Sequence, residues 1–194
     1  MGQVYPELDD RLRSFITSQP MFFVATAPGL DESGAGGHVN VSPKGYRGTF
    51  AVLGPRTVAY LDLTGSGAET IAHLRQNGRI TIMFCSFGSA PKILRIYGTG
   101  RAALPADADW PELAPHFPAA AGAAAGGDRG DQRAIIVVVA DRISDSCGYA
   151  VPVMELTQER DLLTRWSERR SPDELAAYRL KHNATSIDGL PALG

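Results

Sequence analysis

Residues 60–80, YLDLTGSGAETIAHLRQNGRI, decide how the rest of the chain is read. An apolar run from Val58 to Leu63 stops at TGSG, and helical spacing follows in Ile71, Leu74 and the stem of Arg75. Asn77-Gly78 then closes the segment. A glycine turn between a strand and a helix suits an anion, because first-turn N–H groups lack intrahelical acceptors and the helix dipole favours negative charge. The same residues also read as a plain tight turn with Ser66 as the helix cap.

Working outward, the neighbouring segments read mostly as strands. Before the turn come MFFVATA (21–27), HVNVSPKG (38–45), TFAVLG (49–54) and TVAYLDL (57–63), the last two forming a hairpin across Gly54-Pro55-Arg56. In the second of these, Val39 and Val41 are predicted to face inward and Asn40 and Ser42 outward. After the helix at 66–77 come RITIMFCSF (79–87), PKILRIYGTGRAAL (91–104) with glycines suggesting bends, and RAIIVVVADRIS (133–144), the most apolar of all. Helices are predicted at 6–18, starting on Pro6, at 107–117, and as a pair within 157–183 with Thr157 and Ser171 as N-caps. PAAAGAAAGGDRGD (118–131) reads as a low-complexity surface loop. About six strands with peripheral helices and no βαβ alternation predict an α+β fold, an antiparallel barrel rather than a doubly wound sheet. Residues 1–145 would form the barrel domain and 146–194 a helical extension. Its Leu162, Leu163, Trp166, Leu175 and Tyr178 require burial on the barrel or on a partner.

Composition narrows the function classes. The 194 residues are 44% hydrophobic and 21% charged with a formal net charge of −2, which gives no basic face for nucleic acid. No apolar run approaches the ~20 residues of a membrane span, and MGQVYPELDDRLRSF has no signal-peptide pattern, so the expected location is the cytoplasm. Two cysteines, Cys85 and Cys147, make neither a disulfide framework nor a metal cluster, and the four histidines are scattered, so no metal is expected. Cys147, in a turn, is the better candidate for a reactive thiol. What remains is polar groups at strand ends: Asn40, Ser42 and Lys44; Ser66 and Thr70; Lys92 and Arg95. Each has a structural explanation alone, and together they suit a phosphorylated ligand lying along a sheet.

In this order, HVNVSPKGY (38–46), TVAYLDLTGSGAETIAHLRQNGRITIMFCSF (57–87) and PKILRIYGTGRAAL (91–104) resemble the pyridoxamine 5′-phosphate oxidase-like family of flavin-binding split barrels. The LxxNGRI piece matches at Leu74, Asn77, Gly78, Arg79 and Ile80, and the resemblance spans residues 15–145. It implies a six-stranded barrel that forms a homodimer, with FMN in a cleft shared by the subunits. By position, Asn40, Val41, Ser42 and Lys44 would line the flavin ring and ribityl chain. Ser66, Gly67, Glu69 and Thr70 would stand at the phosphate turn, and Lys92 and Arg95 on the neighbouring strand. The implied activity is a flavin-dependent oxidoreductase acting on a small organic substrate, with Lys44 tuning the flavin and Arg95 and Tyr149 touching substrate. The alternatives are a protein that binds flavin, deazaflavin or haem without turnover, and a purely structural dimer with no ligand, with which Glu69 is consistent.

Two departures from the family pattern bear on this reading. The family's vitamin-making members carry an Arg-Lys pair at the helix start, where this chain has Glu69 and Thr70. Glu69 would repel a phosphate, so it must turn away, or the anion must be met by Lys44, Lys92, Arg95 or Arg47 of the partner subunit. Those members also end in an arginine-bearing strand that grips substrate, whereas this chain ends in helices and SIDGLPALG. Oxidation of pyridoxamine phosphate itself is therefore not expected.

Overall fold

The computed structural model describes residues 2–30, 33–117 and 131–193. Its strands are β1 (Val4–Tyr5), β2 (Phe22–Thr26), β3 (Asn40–Lys44), β4 (Phe50–Val52), β5 (Thr57–Leu63), β6 (Arg79–Cys85), β7 (Ile93–Ala103) and β8 (Gln132–Ser146). Its helices are α1 (Asp10–Ser18), α2 (Glu69–Asn77), α3 (Trp110–Leu113), α4 (Leu162–Glu168) and α5 (Pro172–His182). All strand pairs are antiparallel, in the order β3-β2-β6-β7-β8-β5-β4, with β1 beside β8. The class is α+β, as expected, but the strands number eight rather than six among the described residues. The two-residue β1 escapes a periodicity reading because it is too short to show alternation.

The sheet curls because its longest pair is bulged. Tyr97 pairs with Arg142 but Gly98 with Ala140, so Asp141 is the extra residue on β8. A Cβ on Gly98 would lie 2.2 Å from the carbonyl oxygen of Val139, so the close approach requires glycine. The result brings rings from β2, β4, β5 and β6 together. Phe22 meets Phe50 at 5.0 Å and Tyr60 at 5.4 Å, and Phe50 meets Phe84 at 5.0 Å, all edge-on. Leu12 and Ile16 of α1 and Ile71 and Leu74 of α2 join this core. The outer face of β5, β7 and β8 holds a second core, where Leu61, Ile135 and Val137 pack with Phe117 and Trp110.

Several predicted boundaries move. The first helix starts at Asp10 rather than Pro6, because Asp9 caps it through Leu12 N–H and the chain before it is held extended by β1 and by Leu8 N–H to Pro55 C=O. Ala68, not Ser66, is the N-cap of α2, and no side chain caps that helix. Its far end is as read: Gly78 takes the left-handed conformation at φ 72°. Ser171 caps α5 with a full capping box, whereas Thr157 caps nothing, since α4 begins only at Leu162. Of the apolar residues expected to be buried on these helices, Leu175 is, and Leu162 is 64% exposed. The alanine-rich loop lies outside the described residues, apart from Asp131. No helix among the described residues is long and apolar enough to cross a membrane.

Candidate functional site

A cleft of about 780 Å³ opens between β3 and the turn that joins β5 to α2. Asn40, Ser42 and Lys44 border it from β3, and Gly65 to Thr70 from the turn and the start of α2. The two motifs touch directly: Asn40 Nδ2 donates to Thr70 Oγ1 at 3.1 Å and to Thr26 Oγ1 at 3.2 Å, while Ser42 donates to Asn40 Oδ1 at 3.0 Å. Thr26 in turn meets Nδ1 of His73, a buried side chain of α2, at 2.9 Å. Burial pushes the His73 imidazole below its ordinary pKa, against the opposing pull of Glu69 and Asp188.

The electrostatic centre is Asp62, which the sequence reading passed over. It is 1% exposed, inside β5, and lies between two cations. Lys44 Nζ reaches Oδ1 at 2.9 Å, and Arg133 donates to Oδ2 through Nε at 2.8 Å and NH2 at 2.7 Å. Burial alone raises the Asp62 carboxyl, but Lys44 and Arg133 more than offset it, and the net shift is downward. Arg133, itself 5% exposed, also donates to the carbonyl of Gly67 at 2.6 Å, so it ties the glycine turn to the sheet. The phenol of Tyr60, fully buried, is held well above its usual pKa first by burial and then by the Asp62 charge. A charged residue within VAYLDL was the available signal: an aspartate on a doubly covered strand demands a counter-cation.

The anticipated site residues divide cleanly. Asn40, Ser42, Lys44, Ser66, Gly67 and Thr70 all border the cleft. Val41 does not: it is 62% exposed and Val39 is 70% exposed, so the alternation along β3 is right in period and inverted in phase. The polar side chains turn inward because Thr26, Thr70 and Asp62 supply their partners there. Lys92 and Arg95 also lie away from the cleft. Lys92 pairs with Asp145 at 3.3 Å above the rings of Tyr5 and Phe15, and Arg95 donates to Ser146 at 3.0 Å. Tyr149 is 83% exposed and borders no part of it. Glu69 does line the cleft, and its Oε2 accepts the N–H of Ile187 at 3.0 Å. Cys85 is buried, with its thiol raised by burial, and Cys147 is exposed.

That bond belongs to a C-terminal fold-back the sequence did not announce. Residues 183–193 make a small hairpin-like turn, with Ala192 fully buried in the main core and Asn183 donating to Gly65 C=O at 3.0 Å. At its tip Asp188 accepts from His38 N–H at 2.8 Å and meets His38 Nδ1 at 2.7 Å. The hydrogen bond to Asp188 raises the His38 pKa, and the same bond lowers that of Asp188. His38 therefore adds stability that is complete below its unfolded value of about 6.5 and fades as pH rises through the folded one. Asp188 adds stability above about 3.9 that fades as pH falls. With the intrinsic, base-catalysed rise of exchange with pH divided out, amide protection at Ile187 and Asp188 is expected to be greatest between these limits and to fall above neutrality. In His38→Ala this pH-dependent loss of protection should disappear; an unchanged profile of protection would rule out the pair as its cause.

Comparison with known proteins agrees with this architecture. The family model described as pyridoxamine 5′-phosphate oxidase matches residues 8–147. A pyridoxamine 5′-phosphate oxidase family protein of Aspergillus flavus, ustO, is 38% identical over 203 residues, covering 97% of this chain and 77% of that one. The crystal structure of HupZ from Group A Streptococcus superposes with a TM-score of 0.51 at 20% identity, over 76% of this chain and 98% of that one, a likeness of fold. With most of its length matched by the family model, and nearly all of it aligned to a relative at this identity, the chain belongs to the pyridoxamine 5′-phosphate oxidase family.

Proposed function

We propose that the protein binds FMN in the cleft between β3 and the glycine turn and works as a flavin-dependent oxidoreductase on a small organic substrate. The observation that carries this reading is the direct contact between the NVSPK strand and the turn-helix motif through Asn40 and Thr70. Two segments that the family resemblance assigns to one cofactor form the two sides of one cleft, of a volume suited to a small-molecule cofactor. The residues present fit the group: Asn40, Ser42, Ser66 and Thr70 supply neutral donors and acceptors, and the uncapped start of α2 faces the same space. The bound flavin would supply the hydride chemistry. Lys44, Asp62 and Arg133 together carry one net positive charge beside it, so Lys44 acts within a triad rather than as an isolated cation. Among the described residues, no histidine or cysteine lines the cleft, so a haem iron there would depend on Tyr46 or Met21, and we read the cofactor as flavin.

Val39 and Val41, exposed on edge strand β3, are suited to cover by a second copy, and we propose a homodimer on that basis together with the resemblance. Purified protein titrated with FMN should quench flavin fluorescence at about one equivalent per chain; no quenching and no spectral shift would end the proposal. A second reading, binding without turnover, is favoured by one observation. Of the carboxylates bordering the cleft, Glu69 is engaged by Ile187 N–H and Glu159 by Arg47, so neither stands free as a general acid or base. Stopped-flow mixing of the FMN-loaded protein with NAD(P)H separates the two readings, since a pure binder shows no saturable reduction.

A further inference from the structure

The cleft has a roof, and the roof comes from outside the region that the family model matches, which ends at residue 147. After β8 the chain runs without helix or strand to α4, fastened at three points. Met154 N–H donates to Phe87 C=O at 2.9 Å at the end of β6. Glu159 accepts from Arg47 N–H at 3.3 Å, with the Arg47 guanidinium 3.6 Å away, over the loop between β3 and β4. Ser167 donates to Asp131 at 3.0 Å, and Asp131 C=O accepts the N–H of Thr64 at 2.8 Å beside the glycine turn. The strap thus crosses the cleft from the end of β6 to the turn, and Leu156, Gln158, Arg160 and Leu163 line it from above.

Charge around the cleft is uneven. Its lining holds three cations, Lys44, Arg133 and Arg160. The first two are both tied to Asp62. Arg160 is exposed and has no ion-pair partner among the described residues. Glu69 meanwhile stands at the turn, its Oε1 3.7 Å from where a Cβ of Gly67 would be. A phosphate monoester placed at the turn needs an added cation to offset that carboxylate, and Lys44 and Arg133 are already committed. We infer that Arg160, carried by the strap, meets the phosphate of the mononucleotide at the glycine turn. This rests on the flavin reading above. It gives the C-terminal extension a role in cofactor retention, which charge at the helix start does not perform in this chain.

The test compares FMN with riboflavin, which lacks only the phosphate, by equilibrium fluorescence quenching. Wild type should bind FMN more tightly than riboflavin. In Arg160→Gln, FMN binding should weaken roughly 10- to 100-fold, the loss of one charge-assisted partner, with riboflavin binding unchanged. Arg160→Lys should recover part of the difference, and Arg165→Gln, which removes a charge paired with Asp161 on α4, should alter neither. FMN binding unchanged in Arg160→Gln overturns the inference, as does an equal loss for both ligands, which would mean that the strap acts through shape alone. Failure of wild type to bind either flavin instead overturns the flavin reading, and this inference falls with it.

Discussion

Arg133→Met is expected to lower the free energy of unfolding by about 3–5 kcal/mol, the cost of leaving one member of a buried ionic group uncompensated. Arg133 makes two hydrogen bonds to Asp62 and one to the carbonyl of Gly67, all from a side chain 5% exposed. Methionine fills similar volume and replaces none of these bonds. Asp62 keeps only Lys44, whose side chain is 24% exposed, and the Gly67 carbonyl loses its donor. For a chain of this size that corresponds to a fall in Tm of roughly 6–20 °C. Urea unfolding of Arg133→Met, Asp62→Asn and the double variant forms a cycle. The double variant should lose far less than the sum of the singles, because the second change removes the charge that the first left stranded. Simple additivity would mean that the two do not interact. The pH dependence has a defined sign. Asp62 is lowered in the folded state, so its contribution is complete above its unfolded value near ~3.9 and is lost as pH falls through the folded value. Wild type should therefore lose stability more steeply below about pH 4 than Asp62→Asn does.

Gly98→Ala should be nearly as damaging, for a steric reason. The added Cβ would lie 2.2 Å from Val139 O and 2.9 Å from its carbonyl carbon, and both are backbone atoms with no rotamer to change. Either β7 moves away from β8 or the bulge at Asp141 is undone. Undoing it would shift Arg142 and the residues beyond by one position and turn Ile143, fully buried, toward the opposite face. A loss of about 3 kcal/mol, the upper range for overpacking, is expected in thermal or urea unfolding. Gly54→Ala, where only the side chain of Thr57 lies near, at 3.8 Å, serves as the comparison and should change stability little. Equal behaviour of the two variants would show that the β7–β8 approach is softer than this geometry implies.

These two residues show what could be read in the chain and what could not. Strand positions were legible because β-branched and aromatic runs bounded by glycine and proline carry a local signal: MFFVATA, TVAYLDL and RITIMFCSF contain β2, β5 and β6. The NG closure of α2 was legible for the same reason, since a left-handed residue there favours glycine. The facing of β3 was not. Alternation specifies a period of two, but which set faces inward depends on what lies across the cleft, and Asn40, Ser42 and Lys44 find Thr26, Thr70 and Asp62 there. Lys92 and Arg95 looked equivalent to Lys44 in sequence, and only the position of β7 in the sheet sends them to Asp145 and Ser146 instead.

The sequence alone determined the α+β class, the antiparallel order of local elements and the family, because propensity, turn chemistry and motif order are properties of neighbouring residues. Tertiary structure decided the rest: that Arg133 closes on Asp62 across 71 positions, that Asp188 meets His38 across 150, and that a strap beyond the residues the family model matches covers the cleft. Ion pairs and lids of that kind join distant parts of the chain, and their partners exist only once the sheet has curled.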